Sequence, residues 1–350
     1  MIPDDHMNTD LLSLVEIGSR GVRLLIARLA DGELRSVARR YDSEASLTEA
    51  LRLSGGALTA GVEAVRQVVE SYVRESLQTH AVPLRRIWVF GTEAVRRLRD
   101  TSPTAYGLLT RGFNVVAAFE RASDRSPTAL DFVVLKEKDE AYYSLAAAIR
   151  SLPDLIKKGD LVLAIDQGSG SVELALGRSK DSHIRCESHR AYPLGTSALA
   201  SQLRGFRGDH NELRSWLMEK LQRALLPRAR SATRTVILGS AVTMLARVIL
   251  KRSGKKTTAV KYSPREVHGY PLTIEDVEQH IRDHWWKQQL TPVEIKAGEF
   301  EIVLAGLVAL HSLLSIYHKR EFVVCAEALR YGVAWELAVG CAERERVRRR

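Results

Sequence analysis

Apolar residues along the chain form short continuous runs that alternate with longer stretches in which they recur at helical spacing. The short runs predict buried strands, and the recurring pattern, clearest in the valines of 59–79, predicts helices. Strands that alternate with helices are typical of an α/β protein. The predicted elements are hairpins around 12–29 and 161–174, strands at 86–90, 132–135, 183–192, 235–238 and 321–325, and helices at 59–79, 196–203, 210–227, 241–250, 273–287, 299–317 and 327–342, with one more that ends near 152.

A ten-residue pattern occurs twice, at 15–24 and at 165–174. Each copy has an apolar strand, a carboxylate (Glu16 or Asp166), a Gly/Ser turn and a second apolar strand. A glycine turn lets the backbone approach phosphate, its N–H groups can face the anion, and the acid can hold a cation or a water molecule. Ordinary hairpins share parts of this pattern, but the common spacing of acid, glycine and serine favours a functional pair that faces a phosphate cleft.

The length and the net charge of the chain indicate how many domains it has and which partners it favours. A chain of 350 residues with 45% hydrophobic and 27% charged residues predicts a folded protein of two domains. The 52 Lys and Arg residues exceed the 42 Asp and Glu residues, which gives a net charge of +10. That balance favours polyanionic partners such as polyphosphate, nucleotides, nucleic acid or an anionic membrane surface, without choosing among them. Part of the charge lies in a basic tail at 344–350.

The cysteines and the apolar segments indicate the cellular compartment in which the protein is expected. The three cysteines are widely spaced, so neither a disulfide framework nor a zinc site is expected. The polar start at 2–6 does not read as a signal peptide. The apolar stretch at 302–317 is too short to span a membrane and contains His311, which predicts a buried core helix. We therefore expect a cytoplasmic protein without a membrane partner.

Several segments resemble one family in their order and spacing. Residues 161–174 resemble the Asp-x-Gly-Gly-Gly-Ser-Thr-Glu hairpin of the exopolyphosphatase and guanosine pentaphosphate phosphatase family. The first hairpin resembles that family's Asp-Ile-Gly-Ser-Asn-Ser start, and 91–96 resembles its Ala-Thr-x-Ala-x-Arg segment. Later segments that match family landmarks lie at 135–141, 193–195, 239–240, 267–272 and 329–332.

This resemblance covers nearly the whole chain, in the family's short two-domain form. It implies an α/β, actin-like (ribonuclease H-like) duplicated fold of two domains with an interdomain cleft. The first domain would comprise 1–138 and the second 139–326, with the C-terminal helix at 327–350 packing back on the first domain.

The resemblance also implies an activity. It predicts a Mg²⁺-dependent phosphohydrolase that releases terminal phosphate from polyphosphate or from guanosine pentaphosphate, with water as the acceptor. Glu140 occupies the place of the family's general base, and Asp166 and Glu173 complete the catalytic set. Asp166, Glu16 and Glu173 are the candidate ligands for Mg²⁺ or another divalent cation. An ordinary exposed strand position is the alternative for Glu173.

Phosphate binding is expected from glycine and serine turns and from arginines. Turn N–H groups donate to anions, and an arginine can grip a phosphate through two parallel hydrogen bonds. The candidates are Gly18, Ser19, Arg20, Arg96, Gly168, Ser169, Gly170, Ser171, Gly239 and Ser240.

Several candidate positions depart from the family pattern. Glu16 and Arg20 stand where the family has aspartate and asparagine, and Lys136-Glu137 replaces Ser-Gly. Ala241-Val242 replaces Gly-Gly, and β-branched Val242 is a poor substitute for a glycine with positive φ. These departures support an alternative function, a catalytically weak or inactive member that binds a phosphorylated ligand or a partner. An ATP-using kinase is a weaker option, a homodimer is left open, and specific nucleic-acid recognition is not expected.

Overall fold

The computed structural model describes residues 11–30, 33–116, 130–180, 183–253, 264–283 and 299–348. Contacts divide the chain into two compact units. Unit 1 comprises Met1–Glu140 and Val333–Arg350, and unit 2 comprises Ala141–Gly332. Unit 1 is therefore built from two separate stretches of chain, whereas unit 2 is continuous.

Unit 1 contains a six-stranded sheet with the order β3-β2-β1-β4-β6-β5. The first three strands pair antiparallel, and the other neighbours pair parallel. The strands are β1 (Leu11–Gly18), β2 (Gly21–Ala30), β3 (Glu33–Asp42), β4 (Ile87–Gly91), β5 (Asn114–Val116) and β6 (Asp131–Val134).

The helices of unit 1 cover the sheet with an apolar stripe. Val62, Val65 and Val69 of the second helix are buried in one cluster with Val15 and Ile17 of β1, as expected for valines near helical spacing. The helices are α1 (Leu47–Ala50), α2 (Gly55–Gln78), α3 (Glu93–Thr101) and α4 (Pro103–Leu109). Two further helices, α5 (Glu137–Arg150) and α11 (Leu329–Arg348), begin in one unit and end in the other.

Unit 2 repeats the strand order of unit 1. Its sheet has the order β9-β8-β7-β10-β12-β11, which matches the first sheet strand for strand. Only the pairing of the outermost strand differs, because β11 is antiparallel to β12 whereas β5 is parallel to β6. The strands are β7 (Val162–Gln167), β8 (Val172–Lys180), β9 (His183–Tyr192), β10 (Arg234–Gly239), β11 (Pro271–Thr273) and β12 (Glu321–Cys325).

The two sheets also share an irregularity in their strand pairing. The pairing of β2 with β3 shifts register between Ile26 and Ala27, and the pairing of β8 with β9 shifts between Leu176 and Gly177. The two shifts lie 150 positions apart, like the carboxylates Glu16 and Asp166. A bulge at the same place bends and twists both sheets alike, so the duplication includes local geometry as well as strand order.

A helix buried along most of its length forms the centre of the second core. Leu304, Leu307 and Leu310 of α10 are buried together with side chains of α6, α7, α8 and α9. This confirms the prediction of a core helix at 302–317. No helix within the described ranges is long and apolar enough to cross a membrane. The helices are α6 (Thr196–Gly205), α7 (His210–Gln222), α8 (Ser240–Arg252), α9 (Ile274–Asp283) and α10 (Glu299–Ile316).

The α/β class and the duplicated plan predicted from the sequence are confirmed, and the interdomain cleft stays a prediction. The strands predicted at 183–192 and 321–325 have the observed bounds, whereas the helix predicted at 210–227 ends at Gln222. Strand β3 was missed because six of its ten residues are exposed, three of them arginines. The end of the predicted helix at 273–287 and the side chains of the 344–350 tail lie outside the described residues.

A buried histidine of α10, His311, lies against an arginine of α7. Nη2 of Arg214 lies 2.6 Å from Nδ1 of His311. The same nitrogen lies 2.8 Å from Nε2 of His311, and because a guanidinium only donates, its contact with the ring favours a neutral imidazole that can accept. Burial, followed by the charge of Arg214, lowers the pKa of His311 to about 4.

We expect this stabilisation to be present above pH 6.5 and to be lost as the pH falls toward 4, because the unfolded chain takes up the proton first. Urea titrations should show that His311→Gln reduces the fall in unfolding free energy across this window by about 1–3 kcal/mol. Exposed His189→Gln is the control. Equal pH slopes for wild type and His311→Gln would contradict the assignment.

Candidate functional site

The carboxylate of the first hairpin is held by an arginine. Glu16 of β1 stands opposite Arg23 of β2, and Nη1 of Arg23 donates to Oε1 of Glu16 over 3.2 Å. The guanidinium of Arg23 also lies 4.8 Å from the ring centre of Tyr41 on β3, in cation–π contact. The three side chains therefore form one row across the sheet, and this ion pair competes with the predicted role of Glu16 as a metal ligand.

The turn between β1 and β2 is braced by neighbouring helices. The carbonyl of Ser19 accepts from the N–H of Thr48 over 3.0 Å, and the hydroxyl of Ser19 donates to Glu93 over 3.4 Å. Gly21 has a φ of 155°, and a Cβ there would meet the carbonyl oxygen of Asp42 at 2.1 Å. The turn that carries the phosphate-binding candidates Gly18, Ser19 and Arg20 is thus tightly packed.

The structure brings together Arg96 and Glu140, which the sequence predicted separately as a phosphate ligand and a general base. Nη1 of Arg96, in α3, donates to the carbonyl of Leu135 over 2.6 Å and to Oε1 of Glu140. The side chains of Arg96 and Glu140 are 15% and 6% exposed. Because Leu135 follows β6 and Glu140 lies in the first turn of α5, one guanidinium fixes the strand–helix junction that carries the carboxylate.

The geometry of Arg96 leaves a second edge for another ligand. Both of its hydrogen bonds within the described ranges use Nη1. A guanidinium is planar, and its Nε and Nη2 donors form a separate edge that fits two oxygens of a phosphate. The next residue, Arg97, is half exposed and lies 3.7 Å from Glu93. Of these two neighbouring arginines, Arg96 is the one that is largely buried and bonds to the candidate base.

The second hairpin presents two carboxylates where the first has an acid and an arginine. Asp166 of β7 stands opposite Glu173 of β8, at the positions equivalent to Glu16 and Arg23. Ser144 donates its hydroxyl to Oδ2 of Asp166 over 2.5 Å, and Ser171 donates to Oε1 of Glu173. Glu173 is 5% exposed, so the alternative of an exposed strand position is wrong. Two facing acids favour a cation between them.

The two carboxylates of the second hairpin, Asp166 and Glu173, are a donor set of the kind that fits Mg²⁺. No group of three or more His, Cys, Asp or Glu side chains suited to a metal lies within the described part of the chain. Mg²⁺ is commonly held by one or two carboxylates together with water and substrate phosphates, rather than by a complete protein cage. Asp166 and Glu173 supply that donor set.

The glycine turn of the second hairpin is anchored to the start of α6. The N–H groups of Gly195, Thr196 and Ser197 donate to the carbonyls of Gly170, Gly168 and Ser169, each over 3.1 Å. In a trans peptide the N–H points away from the preceding carbonyl. The N–H groups of Ser169, Gly170 and Ser171 therefore point away from α6, as the predicted anion-binding turn requires.

The third loop differs from the sequence expectation in one respect. Val242 lies in the first turn of α8 and is buried, so its β-branch meets no positive φ. The position that requires glycine is instead Gly239, which has a positive φ of 122°. A Cβ added there would lie 2.5 Å from the carbonyl oxygen of Gln167. Helix α8 then begins at exposed Ser240, where backbone N–H groups favour an anion.

Two residues of the site were missed by sequence reasoning. Ser144 lies one helical turn after Glu140 on α5, a spacing that places both on one side of the helix. Gly195 lies in one of the segments that resemble the family, but the sequence predicted no role for it. A Cβ added at Gly195 would lie 2.2 Å from the carbonyl carbon of Gly170. The helical spacing was a usable signal for Ser144, but nothing local in the sequence pointed to the contact of Gly195.

Comparison with solved structures places the chain among two-domain α/β proteins. The structure of the Aquifex aeolicus Ppx/GppA phosphatase, type II variant, has a TM-score of 0.69 and 22% identity, over 93% of this chain and 98% of that chain. An exopolyphosphatase from Cytophaga hutchinsonii ATCC 33406 has a TM-score of 0.69 and 15% identity, over 94% and 98%. At these identities the likeness establishes a shared fold.

A family model gives the assignment within this class. The model of the Ppx/GppA phosphatase family matches residues 25–339. The match spans most of the sequence, and the chain belongs to this family. No curated protein matches the chain.

The contact between the glycine turn and α6 predicts a sharp difference between two glycines. Gly195→Ala should lower the unfolding free energy by about 2–3 kcal/mol, because backbone surrounds the new methyl group. Gly205→Ala, at the other end of α6, places its methyl group in open space and should be neutral or raise the stability by about 0.5–1 kcal/mol. Urea unfolding of both variants checks this, and equal effects would refute the contact.

Proposed function

We propose that the chain is a phosphohydrolase that releases the terminal phosphoryl group of inorganic polyphosphate or of guanosine pentaphosphate, with water as the acceptor. The observation that carries this proposal is the bond between Arg96 and Glu140, which joins a phosphate-binding side chain to a candidate base. Membership of the Ppx/GppA phosphatase family supports the reaction class. The name of the Cytophaga hutchinsonii neighbour, an exopolyphosphatase, supports the polyphosphate substrate.

Phosphoryl transfer depends mainly on positioning, on neutralisation of charge and on an oriented water. Arg96 binds two oxygens of the terminal phosphate through its Nε and Nη2 edge and holds Glu140 through Nη1. A base fixed to the group that binds the substrate keeps a constant distance to the reacting phosphorus. Glu140 then accepts the proton of the attacking water.

The groups of unit 2 bind the phosphate chain and the cation. In the turn formed by Gly168, Ser169, Gly170 and Ser171, the N–H of Gly168 donates to the carbonyl of Ser171, and the N–H groups of Ser169, Gly170 and Ser171 donate to phosphate oxygens. Asp166 and Glu173 hold Mg²⁺, which when bound neutralises phosphate charge. The further phosphate contacts in this proposal are those of Gly18, Ser19, Arg20, Gly239 and Ser240.

One observation favours the alternative of a weak or inactive regulator. The ion pair between Glu16 and Arg23 occupies a carboxylate that the family resemblance predicts as a metal ligand. If catalysis needs that ligand, the protein would bind the phosphorylated ligand without hydrolysing it.

Removal of the candidate base tests the reaction. Glu140→Gln should lower kcat for phosphate release by about 10²–10⁴-fold, because general-base catalysis is lost. Ligand-dependent thermal stabilisation should persist, because the phosphate-binding groups remain. The assays use long-chain polyphosphate and guanosine pentaphosphate with Mg²⁺. Glu137→Gln, an exposed acid of the same helical turn, is the control.

Phosphate release that is unchanged in Glu140→Gln would exclude Glu140 as the base. A folded wild type that is stabilised by either substrate but releases no phosphate would establish the regulatory alternative.

Arginine geometry is tested by a pair of neighbouring substitutions. Arg96→Lys should raise KM and lower kcat, with a combined loss in kcat/KM of at least about tenfold, because a single ammonium cannot serve two edges. Arg97→Lys should leave both constants unchanged, since Arg97 is half exposed. Equal effects of the two substitutions would contradict the proposed role of Arg96.

A further inference from the structure

Ser144 makes an unusual hydrogen bond for a serine inside a helix. Such a serine commonly bonds to the carbonyl four residues earlier in its own helix. Ser76 does so with the carbonyl of Tyr72 over 2.7 Å, and Ser312 with that of Val308 over 2.8 Å. Ser144 instead donates out of α5, to Oδ2 of Asp166 on β7, over 2.5 Å.

The bond is protected from water. Ser144 is 2% exposed, so breaking it would leave a buried hydroxyl without its acceptor, which costs free energy. A hydrogen bond to one carboxylate oxygen also restricts rotation of the whole carboxylate group. The orientation of Asp166 is therefore set by α5, a different element from the hairpin that carries the acid.

The two acids of the second hairpin differ in this respect. Glu173 accepts from Ser171, two residues away on the same hairpin, so its partner moves with it. Asp166 accepts from a residue 22 positions away in sequence. The direction of the Asp166 carboxylate therefore depends on tertiary structure.

We propose that Ser144 is a positioning residue for the divalent cation, because its hydroxyl holds Asp166 in the orientation that binds the metal. This inference rests on the proposed function, since it requires Asp166 to be a metal ligand. Groups that orient metal ligands typically change metal affinity by about 10–100-fold when they are removed. Ser144 itself contacts no metal in this scheme.

The test is the affinity of the full chain for Mn²⁺, used as the probe and followed by electron paramagnetic resonance without substrate. Ser144→Ala should raise the Kd for Mn²⁺ by about 10–100-fold. Ser312→Ala removes a hydroxyl that is equally buried in another helix of unit 2 and should keep the wild-type Kd. Both substitutions should lower the melting temperature to a similar extent, which separates metal affinity from stability.

A second pair of variants covers a failure of Ser144→Ala to fold. Ser144→Thr and Ser144→Val have the same shape, and only threonine keeps the hydroxyl. Threonine should retain Mn²⁺ binding close to wild type, whereas valine should lose it by the same factor as alanine. Equal Kd values for the two variants would overturn the inference.

Asp166→Asn tests the proposed metal site separately from the role of Ser144. If it abolishes Mn²⁺ binding while Ser144→Ala binds like wild type, the metal site stands and the role of Ser144 is overturned. If Asp166→Asn binds like wild type, or if wild type binds no Mn²⁺, both the proposed metal site and this inference fail.

Discussion

Three backbone hydrogen bonds between the 168–170 turn and the start of α6 are the constraint on which the second half of the site depends. They satisfy helix N–H groups that would otherwise lack a partner, and they turn the other face of the glycine loop outward. The contact requires glycine at position 195, because any side chain there would meet backbone. The loop that we propose to bind phosphate is thereby held by main-chain atoms, whose position does not depend on a rotamer.

The two units share topology and a ladder shift, yet their hairpins differ chemically. In unit 1 the acid is neutralised within the sheet by Arg23, which lies over Tyr41. In unit 2 the equivalent positions hold two acids, each with its own serine. The same backbone thus supports an ion pair in one copy and a pair of acids in the other. Under the proposed function the two units have different roles, with the candidate base and its arginine in unit 1 and the candidate metal ligands in unit 2.

Local patterns in the sequence predicted much of this arrangement. The hairpins were predictable because acid, glycine and apolar residues follow one another directly, and β12 because its apolar run is short and bounded. The bonds of Arg96 with Glu140 and of Ser144 with Asp166 were not, because they join residues 44 and 22 positions apart. Val242 misled for the opposite reason, since a motif position suggested a turn where the chain had already begun a helix.

The discontinuity of unit 1 has a consequence for how the protein is made. A ribosome releases the whole of unit 2 before the chain from Val333 onward emerges. The contacts of Val333–Arg350 assign this stretch to unit 1, so unit 1 lacks one of its helical segments until synthesis has passed unit 2. Domains generally fold as units while the chain grows. We therefore infer that the half of the protein translated first is the half that completes its folding second.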